Sequence, residues 1–70
     1  MSFRYNKNAC EQIIKMYRKR IESFETELDF LRHEQGLTNE PAVQHAYAEV
    51  INILEFQKSA SELKITEMTS

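Results

Sequence analysis

The chain has 70 residues, a formal charge of −2, and a single cysteine, glycine and proline. That length allows one thin domain, whose core is marginal without a staple or a partner. Cys10 alone excludes an intrachain disulfide, the scarcity of Gly and Pro excludes a loop-rich or β-rich fold, and no apolar run approaches the ~20 residues of a membrane span. The start MSFRYNKNACEQ has no apolar signal-peptide core, so a reducing, cytoplasmic setting is expected. The small net charge hides a split. Residues 1–21 carry six cations against Glu11, a balance of +5; residues 22–70 carry Arg32, Lys58 and Lys64 against ten acids, a balance of −7. That asymmetry favours antiparallel pairing, with the basic start of a first helix beside the acidic end of a second.

Residues 1–6 are expected to fray, with Phe3 and Tyr5 packing back if the helix starts early. Asn6 or Asn8 supplies the N-cap. The first helix spans about 7–34. Its apolar residues Cys10, Ile14, Tyr17, Ile21, Phe24, Leu28 and Leu31 step by four and three in alternation, the a/d seam of a helix lying along another. Residues 35–39 form the turn. Gly36 there is suited to a left-handed closure, His33 falls in the last helical turn, and Leu37 is expected to pack over the joint. Thr38 or Asn39 can cap the next helix, and Pro41 suits its first turn.

The second helix spans about 40–65, followed by a frayed tail at 66–70. Its apolar stripe is broad. Val43, Ala46, Tyr47, Val50, Ile53 and Leu54 form the stripe, Phe56, Ala60 and Leu63 extend it, and Ile51 lies off its centre. A helix apolar over more than one face contacts more than one neighbour, whereas a hairpin supplies one. The expected architecture is therefore an all-α antiparallel helical hairpin that dimerises into a four-helix bundle. The alternative is a monomeric hairpin whose spare face binds another protein. The seam residues for self-association or a partner are Ile14, Tyr17, Ile21, Phe24, Leu28, Leu31, Val43, Tyr47, Val50, Ile53, Leu54 and Phe56.

Catalytic and ligand-binding signals are sparse. Asp29 with His33, and His45 with Glu49, are i,i+4 pairs near the turn and could converge on a metal. Asp29 and His33 occupy outer heptad positions, however, so no metal site and no cofactor are expected. Lys15, Arg18, Lys19 and Arg20 cluster around Tyr17, but Tyr17 belongs to the seam and the chain is acidic, which disfavours nucleic acid. Cys10 lacks a neighbouring histidine to activate it, and a single glycine cannot build a phosphate loop. The polar faces mix both signs, unlike a helix that lies on a membrane.

One family pattern stands out. Ile21-Glu22, Glu27-Leu28, Leu31, Glu34 and Gly36-Leu37-Thr38, followed by Pro41 and Val43, resemble the hairpin of the small sporulation-regulatory aspartyl-phosphate phosphatases of bacilli, the stage-zero-E-like family. The resemblance covers about half the chain. It implies a helical hairpin acting on a phosphorylated response regulator, with a response regulator or its kinase as partner. The family's signature, S-Q-E-L-D, is not retained. Counted from Pro41, the matching stretch is Tyr47-Ala48-Glu49-Val50-Ile51, which keeps Glu49 and places Ile51 where the family has its aspartate. Acyl-phosphate hydrolysis needs a positioned water and charge stabilisation, which an isoleucine cannot supply. The sequence thus favours a non-catalytic regulator, inhibitor or adaptor, with a phosphatase or a catalytically dead relative of one as the alternative reading.

Overall fold

In the computed structural model, which describes residues 6–69, the chain forms two helices, α1 (Lys7–Leu37) and α2 (Pro41–Thr69). Phe3, Tyr5 and Ser70 lie outside the described residues. Asn6 is the N-cap of α1: its backbone is extended and its Oδ1 accepts from the Ala9 amide at 2.7 Å. The side chain thereby satisfies one of the amide donors that a helix start leaves open.

The turn is shorter than expected. α1 continues through Gly36 and ends at Leu37, with Thr38 extended at its C-cap. No described residue has positive φ, so Gly36 is an ordinary helical residue and His33 lies a turn inside the helix end. Leu37 is 65% exposed and does not cover the joint. What stops α1 is the approach to Pro41, whose ring opens α2 where no intrahelical donor is needed. Hydrogen bonds then close the turn. The Glu40 amide donates to Thr38 Oγ1 (3.3 Å), Gln44 Nε2 to the Thr38 carbonyl (2.8 Å), and Gln35 Nε2 to the Gln44 carbonyl (3.1 Å). A Cβ added at Gly36 meets nothing within 4 Å. Gly36→Ala is therefore expected to stabilise the hairpin by about 0.5–1 kcal/mol, read as a higher melting temperature, because alanine loses less backbone entropy in a helix.

α2 also runs further than expected, to Thr69, and takes in most of the anticipated tail. Thr66 Oγ1 donates to the Glu62 carbonyl at 3.1 Å and Thr69 Oγ1 to the Ile65 carbonyl at 2.9 Å, while Ile65 and Met68 are half-buried. The last turns are thus packed as well as hydrogen-bonded.

The three-residue connection makes α1 and α2 antiparallel neighbours. On α1 the inward face is the predicted seam: Leu28 is 2% exposed, and Cys10, Ile14, Tyr17, Ile21, Phe24 and Leu31 are half-buried. On α2 the inward face differs from expectation. Ile51, read from sequence as peripheral, is 7% exposed and central. The row facing α1 is Tyr47, Ile51, Leu54, Lys58, Ser61, Ile65 and Met68, which steps by four and three along the helix. In the register marked by Gln35 and Gln44, Leu28 falls opposite Ile51.

Toward the open end the row turns polar. Lys58 is half-buried, and Ser61, 6% exposed, donates its hydroxyl to the Gln57 carbonyl at 3.1 Å. Small and charged side chains there leave Tyr17 and Phe24 incompletely covered. The molecule measures 54 × 20 × 13 Å, with a radius of gyration of 16.3 Å where a compact chain of this length has about 11 Å. Its accessible surface is 5728 Å² against about 4,600 Å² for a compact monomer of equal mass.

Candidate functional site

α2 carries a second row beside the first. Val43, Ala46, Val50, Ile53, Gln57 and Ala60 step by three and four, and all are exposed. Helical spacing puts them on one face, turned away from Ile51 but continuous with it around the helix. Phe56, at 76% exposure, and Leu63 flank this row. The broad stripe in the sequence is thus two overlapping rows. α1 engages the one that includes Tyr47, Ile51, Leu54, Ile65 and Met68, which has the larger side chains and reaches the end of the helix. Of the residues expected in the seam, Tyr47 and Leu54 are half-buried, while Val43, Val50, Ile53 and Phe56 face solvent in the single hairpin.

The uncovered row runs into a groove of about 540 Å³ between the helices at the open end. Tyr17, Arg20 and Phe24 line one wall, and Gln57, Ala60, Ser61 and Lys64 form much of the other. The Arg20 guanidinium lies 5.6 Å from the centre of the Tyr17 ring, a cation–π approach across one turn of α1. Met16, Phe30 and Leu37, at multiples of seven along α1, are also exposed. Their row alternates with Ser23 and charged positions, which masks it in the sequence; the sevenfold spacing is its signal.

Charge is arranged along the long axis, and not as the sequence split implied. Beside the basic start of α1 lies 57–69, where Lys58 and Lys64 balance Glu62 and Glu67. Among the described residues, the open half (7–21 with 57–69) therefore carries +4, from five cations against Glu11 on α1. The turn half (22–56) carries −7, from eight carboxylates against Arg32. The reason is position: Glu22, Glu25, Glu27, Asp29 and Glu34 lie on the turn half of α1 itself and Glu40 in the connection, while Glu62 and Glu67 at the end of α2 are matched by Lys58 and Lys64. Arg32 pairs across the helices with Glu55 on the surface.

The remaining candidates are separate from one another. His45 Nε2 and Glu49 Oε1 are 2.9 Å apart on the exposed side of α2. Among the described residues no three His, Cys, Asp or Glu side chains gather as a metal site, so Asp29 and His33 do not join that pair. Cys10 is half-buried on the seam. Among the described residues, no helix is long and apolar enough to cross a membrane. Comparison of the chain with protein-family models, with curated proteins and with solved structures finds no significant match.

Proposed function

We propose that this hairpin is a protein–protein interaction module that self-associates, serving as a regulator, inhibitor or adaptor within the cytoplasm. The observation that carries the reading is the uncovered apolar row of α2, from Val43 to Ala60, together with Phe56 at 76% exposure. Large contiguous apolar patches on small chains mark sites of association. The surface in excess of a compact monomer, about 1,100 Å², is comparable to the roughly 800 Å² that each partner buries in a standard interface.

Action on a phosphorylated response regulator is the weaker reading. In the register counted from Pro41, the acidic position of the family signature falls on Ile51, which is buried toward α1. That leaves Glu49, exposed and paired with His45, as the one candidate group. Light scattering tests the self-association: at tens of micromolar the expected molar mass is twice the 8.3 kDa of one chain. A mass of one chain at that concentration would overturn it.

A further inference from the structure

Resting on the self-association proposed above, we infer that the uncovered row of α2 is covered by the same row of a second copy, laid antiparallel about a twofold axis near Ile53. Each hairpin's acidic turn half then lies along the open half of its partner.

The first argument is charge. Neighbouring helices sit about 8–10 Å apart, within roughly one screening length at physiological salt. A parallel pair would set two −7 halves side by side, and two +4 halves likewise. Turning one copy end for end replaces both repulsions with attraction of opposite halves. Charge of this kind chooses between orientations more than it sets affinity.

The second argument is the row itself. An isologous interface needs a patch that meets its own copy around an axis. Ile53 lies near the middle of α2, with Val50 and Ala46 on one side of it and Gln57 and Ala60 on the other. The two alanines admit close approach of a facing helix at equal distances from the centre, and Gln57 is the polar position within the row. Alternating three and four steps are the spacing that seats side chains between those of a second helix.

The test uses the full chain with Cys10→Ser and a single spin label at Asn39→Cys, which is exposed in the turn. Antiparallel copies put the two turns at opposite ends, so the label-to-label distance is expected to be about 35–50 Å from the helical rise. A parallel pair puts both turns at one end, within roughly 20 Å. A short distance in a sample whose mass is two chains would overturn the orientation while leaving self-association intact. A mass of one chain with no intermolecular distance would overturn both. A long distance that survives Ile53→Asp unchanged would show that another face is in use and would overturn the inference. The expected result is a long distance that disappears with Ile53→Asp, and a dissociation constant that rises several-fold between low and high salt. Circular dichroism of each variant establishes that the helices persist.

Discussion

Replacing Leu28 with Ala is expected to remove about 2–5 kcal/mol of stability, the usual cost of truncating a buried leucine. Leu28 is the most buried side chain among the described residues, at 2% exposure, and falls opposite Ile51, the other buried hydrophobic residue there. A chain of 70 residues with this architecture rarely holds more than about 3–5 kcal/mol in its core. The substitution therefore consumes most of what the hairpin has. The expected readout is a large fall in melting temperature and a loss of helical signal at 25 °C. Because association with a second copy raises apparent stability, variant and parent are compared at one chain concentration. Leu37→Ala is the control: Leu37 is 65% exposed, and its truncation should change stability by no more than about 0.5 kcal/mol. Equal effects at both positions would mean that the seam is not the core. Phe24→Ala should fall below the about 3–5 kcal/mol of a fully buried aromatic, since Phe24 lines the open groove and is only half-buried.

α1 was legible from sequence because it has one main apolar row on an otherwise polar helix. A single row leaves the period and the buried face unambiguous, and all seven predicted positions point inward. α2 was not legible in the same way. With Val43, Ala46, Val50 and Ile53 beside Tyr47, Ile51 and Leu54, the stripe is wide enough that its centre lies between two rows. Relative to that centre Ile51 lies at the margin, although Ile51, Leu54, Ile65 and Met68 continue one row to the helix end. That same row held the signal that residues 66–69 are helical. At the turn, proline and not glycine sets where the helix ends. Gly36 permits a left-handed closure but does not require one, whereas Pro41 restricts the residue before it. The lengthwise charge pattern needed the fold: the split at residue 21 is visible in the chain, but which acids lie beside which cations depends on where the helices turn.

Ile51 and Ile53 offer the sharpest separation of folding from association, because they differ by two positions and about 200° around one helix. Ile51 is 7% exposed and faces α1; Ile53 is 58% exposed and belongs to the uncovered row. An aspartate at Ile51 places an unpaired charge in the core, a cost that a marginal hairpin cannot absorb, so Ile51→Asp should abolish the helical signal. An aspartate at Ile53 stays in water as long as the hairpin is alone. Ile53→Asp should therefore leave the folded hairpin helical at concentrations where both forms are single chains. At tens of micromolar, where the parent pairs, the charge would have to be buried beside its own copy near the twofold axis. The expected rise in dissociation constant is at least about 100-fold, equivalent to roughly 2.7 kcal/mol, and the measured molar mass falls to the 8.3 kDa of one chain. If Ile53→Asp unfolds the chain at low concentration, Ile53 is part of the hairpin core and the two-row description of α2 fails. If it leaves a dimer intact, the row is not where the copies meet. Only loss of pairing without loss of helix fits a second row that is idle in one hairpin and buried between two.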